Sequence, residues 1–378
     1  MTEPSLYQWL QLYFQDALSP RVLEGLMLHL GSAKAVVSAS RTELRSLGMA
    51  ATQIDAFRES VDKESLRESA EQSLAWSRDL EHHIIVRADP RFPPLLREIH
   101  DPPLLLFVVG KAEALLQPQV AIVGSRRCSI DGRHSTQSFA RALAQQGFSI
   151  CSGLARGIDG AAHEGALDAS GVTVAVMGTG ADQVYPSTHR KLASAIVSKG
   201  ALVSELPLGS GANATHFPKR NRIISGMSLG LIVVEAAPRS GTLISARLAM
   251  EQNRELFAVP GSIRNPLSHG PHRLIQQGAH LVDAPEQIVE HLQSLLGSQL
   301  ALLKESAASM TPSASMPRVA PGLPPEQTKL LEAMGFDPVS VETLVERTDL
   351  PLSTVQTALL SLELQGVVRL DAGHYVLS

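Results

Sequence analysis

Residues 216–222 read HFPKRNR, which places one aromatic residue and three cations around an asparagine. The segment lies between a glycine-rich loop and the apolar run IISGMSLGLIVVEA. Guanidinium and ammonium groups at this density predict an anion-binding site, because both groups pair with phosphate and carboxylate oxygens. Three anions fit such a site: a nucleotide cofactor, a small phosphorylated substrate, or a nucleic-acid backbone.

Four other segments carry the glycine, hydroxyl and arginine residues that phosphate-binding loops use. They read GSRR at 124–127, SGLARGID at 152–159, GTGADQVYP at 178–186 and EAAPRSGTLISA at 235–246. Glycine lets the backbone approach a ligand, amides at helix N-termini attract anions, and hydroxyl groups add donors. Together with residues 216–222, these segments predict one phosphate-binding crevice.

An ordinary nucleotide-cofactor site is disfavoured by what these segments lack. GTGADQ has no third glycine of a GxGxxG motif, GSRRCS has a single glycine, and the chain contains no GxxxxGK[ST] sequence. No acidic residue stands near the end of the second predicted strand to hold a ribose hydroxyl. We therefore expect no nucleotide cofactor.

Candidate catalytic and metal-binding residues are few. His163 and Glu164 lie on a predicted helix with a packed alanine face, so a capping or core role is favoured for His163 over that of a general base. Glu235 closes an apolar strand and is equally suited to pairing with a neighbouring arginine. Cys128 and Cys151 form no disulfide framework, and the histidines show no paired metal-ligand spacing. We expect no metal and no catalytic set, and hence not an enzyme.

Charge is distributed unevenly along the chain. The 378 residues have a net charge of −4, but residues 119–290 contain 16 Lys and Arg against 12 Asp and Glu, leaving 17 against 25 elsewhere. This basic centre favours a nucleic-acid backbone, because it carries more cations than one nucleotide needs. A loop arginine is nevertheless often a surface ion pair, and Arg222, beside an apolar run, is placed to brace an acidic residue. The cations within the segments of the predicted crevice are Arg126, Arg127, Arg156, Lys219, Arg220, Arg222 and Arg239.

The segments that position these loops alternate between apolar strands and helices. Continuous Val, Ile and Leu strands between helices predict an α/β fold, a Rossmann-like doubly wound parallel sheet, in which ligands bind beyond the carboxyl ends of the strands. The predicted strands are VAIVG (120–124), FSICSG (148–153), VTVAVMG (172–178), ALVSE (201–205), LGLIVVE (229–235) and ELFAVPG (255–261).

Further segments flank this sheet. Residues 1–80 are predicted to be a helical, SAM-like domain. Within it, residues 42–57 have the helix–turn–helix form of a helix-hairpin-helix unit. The turn of such a unit serves either DNA docking or packing. Residues 82–297 are predicted to form the Rossmann-like domain, and 298–322, rich in Ala, Ser, Met and Pro, are predicted to be a linker. The chain has no signal-peptide pattern and no run of about 18 apolar residues, which predicts a cytoplasmic protein without a membrane span.

Residues 323–378 have the outline of a winged helix, with three helices and a hairpin whose turn is DAG. The segment contains 3 Lys and Arg against 8 Asp and Glu, and its third predicted helix, PLSTVQTALLSLELQG, carries no cation. A DNA-reading helix presents Arg, Lys, Asn or Gln to bases and phosphates. We therefore favour a protein-contact or regulatory role for this module.

Six strings in order resemble one family, DprA/Smf, the DNA-processing protein A of natural transformation. They are VAIVGSRRCSIDG, SGLARGIDGAAHEGAL, GTGADQVYPSTHRKL, HFPKRNRIISG, VVEAAPRSGTLISARLA and FAVPGSIRNPLSHGPHRLIQQGA. The resemblance implies a homodimer that binds and protects single-stranded DNA and loads the recombinase RecA onto it, without enzymatic activity or a cofactor.

The same resemblance implies a set of DNA contacts in the central domain. These are Ser125, Arg126, Ser152, Gly153, Arg156, Phe217, Lys219, Arg220, Asn221, Ser240, Gly241 and Thr242. The loop chemistry adds Gly124, Arg127, Gly157 and Arg222 to the candidate DNA-binding residues. Lys219 and Arg220 are expected to face phosphates and Phe217 to stack on a base. The dimer face is expected at LFAVP or HRLIQQGAHLV.

One alternative is a nucleoside-monophosphate phosphoribohydrolase of the lysine-decarboxylase-like family. The string PRSGT resembles the PGGxGT phosphate loop of those enzymes, which share a related Rossmann layout. That family has a glutamate three residues after the threonine, whereas this chain has Ser245. The difference removes a catalytic carboxylate and disfavours the hydrolase.

Overall fold

One nine-stranded sheet organises the larger part of the computed structural model of this chain. Along the chain, its strands are β1 His82–Val86, β2 Leu105–Gly110, β3 Gln119–Val123, β4 Ser149–Ser152, β5 Thr173–Val176, β6 Ala201–Ser204, β7 Gly230–Val233, β8 Glu255–Ala258 and β9 His280–Leu281. Their spatial order is β1-β2-β6-β5-β4-β3-β7-β8-β9. Strands β3 to β9 pair in parallel, and β1 and β2 join antiparallel. All six predicted strands are present, and the α/β fold class is confirmed.

Helices connect these strands and precede them. They are α1 Glu3–Phe14, α2 Pro20–Leu30, α3 Ala33–Ser38, α4 Arg41–Ser46, α5 Ala51–Asp62, α6 Glu64–Trp76, α7 Pro94–Arg97, α8 Ile130–Gln145, α9 Ile158–Asp168, α10 Arg190–Lys199, α11 His216–Met227, α12 Thr242–Glu251 and α13 His269–Gln276, followed by α14 at 285–293. Among the described residues, no helix is long and apolar enough to cross a membrane.

The structure describes residues 3–293, 324–334, 339–348, 350–364, 368–371 and 374–377. The chain divides into two compact units, Met1–Ala301 and Leu302–Ser378. The predicted linker at 298–322 lies outside the described residues. The two free thiols, Cys128 and Cys151, both belong to the first unit.

Both faces of the parallel sheet are covered, as the apolar strands require. In β3, Ala121 and Val123 belong to one hydrophobic cluster, whereas Val120 and Ile122 belong to another. Because successive residues of a strand point to opposite faces, this alternation shows packed helices on each side. The buried faces leave the strand ends as the places where polar loops meet.

The N-terminal helices pack on the antiparallel side of the same sheet. Leu10 and Phe57 belong to one cluster of buried residues with Leu105 and Phe107 of β2. The helix-hairpin-helix-like segment forms α4 and α5, and Gly48 adopts a φ of 88° in the turn between them, a conformation that favours glycine. The segments predicted as separate domains at 1–80 and 82–297 therefore share a hydrophobic core within one unit.

The second unit has its own core and the expected outline. Its elements are α15 Pro325–Met334, α16 Val341–Thr348, α17 Leu352–Leu364, β10 Val368–Asp371 and β11 His374–Leu377. The strands pair antiparallel, and the buried residues Leu330, Leu344, Val355 and Leu359 pack together. The predicted third helix and hairpin are both confirmed.

Candidate nucleic-acid interface

A crevice opens where the strand order reverses, at the carboxyl ends of β3 and β7. The chain runs from β3 through β4 to β6 on one side and returns to place β7 on the other. At this point a cavity of about 870 Å³ is lined by predicted site residues from the loops after β3 and β7 and from the start of α11. They are Gly124, Ser125, Arg126, Arg127, Phe217, Arg220, Asn221, Ser240, Gly241 and Thr242. We call this cavity the crevice.

The loop after β3 is fixed by backbone hydrogen bonds to both neighbouring loops. The Ser125 amide donates to the Glu235 carbonyl oxygen at 2.8 Å, and the Ile158 amide donates to the Ser125 carbonyl oxygen at 3.2 Å. Gly157 has a φ of 76°, and a Cβ there would collide with the Ser125 and Arg126 backbone. Gly157 does not line the cavity. It supports the crevice by letting the loops after β3 and β4 approach each other.

Arg126 and the aromatic residues form one wall of the crevice. The Arg126 guanidinium carbon lies 5.3 Å from the centroid of the Phe217 ring, within cation–π range. The Tyr185 ring lies 5.8 Å from the Phe217 ring, and Tyr185 is 50% exposed. Arg126 and Arg127 are both exposed. The wall thus combines exposed positive charge with aromatic rings.

The segment HFPKRNR forms about the first two turns of helix α11. This helical start separates its side chains. Phe217 and Asn221 line the crevice, whereas Lys219 is exposed outside the cavity lining. At 100° per residue, neighbouring positions of a helix cannot all face one ligand.

Arg220 was expected to face phosphates, but its guanidinium points into the fold. It lines the floor of the crevice but is only 7% exposed, and its guanidinium donates to the Val176 carbonyl oxygen. Its Nε atom has no hydrogen-bond partner among the described residues. Burial lowers the pKa of Arg220. Burial also raises the pKa of the neighbouring Asp159, and the positive charge of Arg220 partly offsets that rise. Arg220 is therefore first a structural cation beneath the site.

Arg222 braces an acidic pair away from the crevice. Its guanidinium lies 2.5 Å from the Glu205 carboxylate and 3.3 Å from Asp101, and its side chain is mostly buried. Burial raises the pKa of Glu205, and the Arg222 charge opposes that rise. The bracing role considered for Arg222 is the one the structure shows.

The second loop contributes mainly support. Ser152 is fully buried, and its hydroxyl donates to the Ile122 carbonyl oxygen at 2.6 Å. Gly153 is also buried, and a Cβ there would collide with Arg220 and Asp159. Arg156 is exposed but does not line the cavity. Ser152 and Gly153 therefore hold the strand end, and Arg156 is a cation of the surrounding surface.

The third loop leads into the N-terminus of α12. The Thr242 amide and hydroxyl lie 3.2 and 3.0 Å from the Ser240 hydroxyl oxygen, and Gly241 is exposed between them. Amides at a helix N-terminus carry partial positive charge, so this turn is suited to a phosphate oxygen. Ser245, at the position of the hydrolase glutamate, is buried and lines the crevice without a carboxylate.

Neither candidate general base takes part in a catalytic arrangement among the described residues. The His163 Nδ1 atom lies 2.7 Å from the Thr173 hydroxyl oxygen, and burial lowers the pKa of His163 to about 3. Glu235 accepts hydrogen bonds from Ser129 and Asn265 and forms no ion pair with a described arginine. His163 is a core residue, and Glu235 joins the start of α8 to the loop after β8.

Two crevice residues with polar side chains, Tyr185 and Asp159, are not among the residues predicted from the sequence. Tyr185 comes from the loop GTGADQVYP, in which the glycines and not the tyrosine indicate a phosphate-binding loop. Asp159 lies beside Arg220 as the second residue of α9. The sequence signal for the tyrosine is an aromatic residue in the loop that follows a predicted strand. The aspartate has no such signal, because only the folded chain brings it to Arg220.

These features define a class: a Rossmann-like α/β protein with an arginine- and aromatic-lined crevice at the switch point, followed by a winged-helix unit. Residues 83–293 match the DNA recombination-mediator protein A family, and residues 314–374 match the DprA winged helix domain. The chain belongs to the DprA/Smf family, the DNA recombination-mediator protein A family.

Curated relatives agree over most of the chain. Protein Smf of Escherichia coli is 45% identical over 311 residues, covering 82% of this chain and 81% of its own. DNA processing protein DprA of Streptococcus pneumoniae is 45% identical over 205 residues, covering 54% of this chain and 72% of its own.

Solved structures of relatives share the fold. The X-ray structure of DNA processing protein A from Streptococcus pneumoniae has a TM-score of 0.65 at 34% identity and covers 77% of this chain and 98% of its own. A structure of DNA processing protein A from Helicobacter pylori, reported for its single-stranded DNA binding mode, has a TM-score of 0.50 at 31% identity. It covers 54% of this chain and 93% of its own.

Proposed function

We propose that this chain binds single-stranded DNA along the crevice. The observation that carries the proposal is the wall in which the exposed Arg126 guanidinium lies over the Phe217 ring beside Tyr185. Nonspecific single-strand binding needs both cations for the phosphates and π-faces for unstacked bases. The Helicobacter pylori relative, which binds single-stranded DNA, supports the same ligand for this chain.

The phosphates and bases would meet different parts of the site. Arg126, Arg127 and the amides at the start of α12 supply positive charge for the backbone. Phe217 and Tyr185 offer stacking faces, each worth about 1–3 kcal/mol per base where stacking occurs. Stacking is available to every base, so little sequence preference is expected.

The remaining predicted contacts have secondary roles in this proposal. Lys219 and Arg156 are exposed cations outside the cavity lining, so they would attract the strand toward the crevice. Arg220 would contribute a buried positive charge below the strand, and Arg222 would keep α11 in place through Glu205 and Asp101.

We further propose that the bound strand is passed to RecA, and that the protein acts in the cytoplasm as a non-enzymatic homodimer. The family description, a recombination mediator, supports transfer to a recombinase. For dimerisation, β9 is a sheet edge and Leu281 is half exposed, whereas Leu256 and Phe257 of LFAVP are buried. The HRLIQQGAHLV segment is therefore the better candidate face.

Fluorescence anisotropy with labelled oligonucleotides tests the DNA proposal. We expect tight binding to an unstructured single strand, weaker binding to duplex of the same length, and no measurable competition by mononucleotides. Affinity for the single strand should fall steeply with salt, because each phosphate contact releases condensed counterions and contributes about −0.7 to the logarithmic slope. Equal affinity at low and high salt would contradict the proposal.

Release of free base from nucleoside monophosphates tests the hydrolase alternative. Because Ser245 replaces the glutamate that this chemistry needs, we expect no turnover. Rapid turnover that is abolished by Ser240→Ala or Thr242→Val would overturn the non-enzymatic assignment.

A further inference from the structure

Three potential metal ligands meet at the far end of the sheet, away from the crevice. The Nε2 atoms of His280 and His291 lie 3.2 and 2.9 Å from the same Glu255 carboxylate oxygen, Oε2. All three potential ligand atoms lie within 4.8 Å of one another, and the two imidazole centroids are 4.1 Å apart. We propose that Glu255, His280 and His291 bind one divalent transition-metal ion of the Zn²⁺ class.

The donor set selects this class of ion. Two imidazole nitrogens and one carboxylate form a common three-ligand zinc set, with zinc–ligand bonds of about 2.0–2.2 Å and a water in the fourth position. Tetrahedral angles at such bonds place ligand atoms about 3.3 Å apart, close to the spacing of each histidine from Glu255. Mg²⁺ and Ca²⁺ prefer oxygen ligands, so imidazoles disfavour both ions.

Three separate elements hold the ligands in position. Glu255 begins β8, and Phe257, two residues later on the same strand face, is fully buried beneath both imidazoles. The Phe257 centroid lies 5.6 Å from each histidine ring. His280 stands opposite Phe257 in the β8–β9 register. The site is thus built on the edge of the sheet, above a buried aromatic ring.

Helix α14 delivers the third ligand. Its residues Ile288 and Leu292 are fully buried and belong to the same hydrophobic cluster as Phe257. This packing fixes the helix face on which His291 stands. The three ligand side chains remain 30–46% exposed, so an ion could enter and keep a water ligand. A bound ion would join α14 to the edge of the sheet.

The sequence does not reveal this set, because 36 positions separate Glu255 from His291 and each ligand comes from a different element. Without metal, the short contacts to Glu255 need a proton on each Nε2 atom. Metal binding instead needs the Nε2 lone pairs, with any ring proton on Nδ1. The two states differ in tautomer and can be separated by a direct binding measurement.

Calorimetric titration of ZnCl₂ into the untagged, chelator-treated full chain tests the proposal. We expect one ion per chain, and His280→Gln, His291→Gln and Glu255→Gln each to weaken binding at least about tenfold, the lower end of what losing even an outer-shell partner costs. His134→Gln, an exposed histidine on α8, is the matched control and should bind as the wild type does.

Thermal unfolding keeps the test valid if a variant is destabilised. Zn²⁺ should raise the Tm of the wild type and of His134→Gln, because an ion that binds the folded state stabilises it, and should not raise the Tm of His280→Gln or His291→Gln. Co²⁺ should give tetrahedral d–d absorption with the wild type and with His134→Gln, and not with His280→Gln or His291→Gln. The proposal is overturned by absent stoichiometric binding, or by equal binding in the ligand variants and the wild type.

Discussion

Two regions of this chain have architectures that proteins use for DNA, and they differ in what they present. The crevice presents exposed Arg126 and Arg127 on glycine-containing loops beside aromatic rings. The winged-helix unit presents a third helix, α17, whose sequence has no cation, within a segment of 3 Lys and Arg against 8 Asp and Glu. A fold class therefore supplies a scaffold, and the exposed charges determine which scaffold suits a polyanion.

A similar contrast exists inside the crevice, between Arg126 and Arg220. Both lie within the predicted DNA-binding set, but Arg126 is exposed over Phe217 whereas Arg220 is buried with its guanidinium on the Val176 carbonyl oxygen. Solvent exposure therefore distinguishes Arg126, which can contact a ligand, from Arg220, which supports the floor of the crevice.

Substitution of Arg220 should affect stability first. Arg220→Met removes the hydrogen bond to Val176 and leaves the buried Asp159 without its neighbouring cation, so we expect a loss of about 3 kcal/mol or more in the free energy of unfolding. Arg126→Met, at an exposed position, should cost less than about 0.5 kcal/mol. Urea unfolding of both variants gives the comparison, and equal losses would remove the distinction.

Charge reversal at the crevice rim should affect binding first. The double variant Arg126→Glu/Arg127→Glu should weaken single-strand affinity by roughly 100-fold and reduce the salt dependence, because phosphate contacts become repulsive. Lys329→Glu, an exposed reversal on α15 of the winged-helix unit, is the control and should change affinity less than about threefold. A control as damaging as the double variant would refute the contrast between the units.

Loss of the aromatic face should weaken binding without changing its salt dependence. Phe217→Ala should cost about 1–3 kcal/mol of single-strand affinity, since stacking is lost while the phosphate contacts remain. Phe217→Leu keeps an apolar side chain but offers no π-face, and it should behave like the alanine variant. A reduced salt slope in either variant would mean that the position of Arg126 depends on Phe217.

Acid should destabilise the unit that contains the crevice through His163. Its folded pKa, about 3, lies below the unfolded value of about 6.5, so the contribution is present above pH 6.5 and is lost as pH falls toward 3. At pH 5 this linkage amounts to about 2 kcal/mol. Asp159, whose pKa is raised by burial, acts with the opposite sign.

The His163→Gln variant isolates this linkage. Its free energy of unfolding should fall less between pH 7.5 and pH 5 than that of the wild type, whatever its value at neutral pH. Chemical unfolding at the two pH values measures the difference. An unchanged pH dependence would show that the pKa of His163 does not differ between the folded and the unfolded chain.

Removal of the winged-helix unit should have the smallest effect. Deleting residues 323–378 takes away a segment with five more acidic than basic residues, 8 against 3, so single-strand affinity should change less than about threefold. Anisotropy with the same labelled strand measures this. Loss of most of the affinity would show that the acidic module carries DNA contacts of its own.

The sequence by itself determined the six central strands of the sheet, β3 to β8, the winged-helix outline and the loops that meet at the switch point. Apolar strands separated by helices allow few topologies, and glycine, hydroxyl and arginine residues at strand ends mark where a ligand binds. Gly124, Ser125, Arg126 and Arg127, which follow the first predicted strand, line the crevice. Local patterns of this kind need no knowledge of distant residues.

Only the tertiary structure decided which cations face the crevice and which support it. HFPKRNR is helical, so its cations point in different directions: Lys219 is exposed, Arg220 is buried, and Arg222 pairs with Glu205 and Asp101. The meeting of His280 and His291 at Glu255 likewise depends on the β8–β9 register and on helix packing. Burial and partners come from residues far apart in sequence, and the composition of a segment cannot encode them alone.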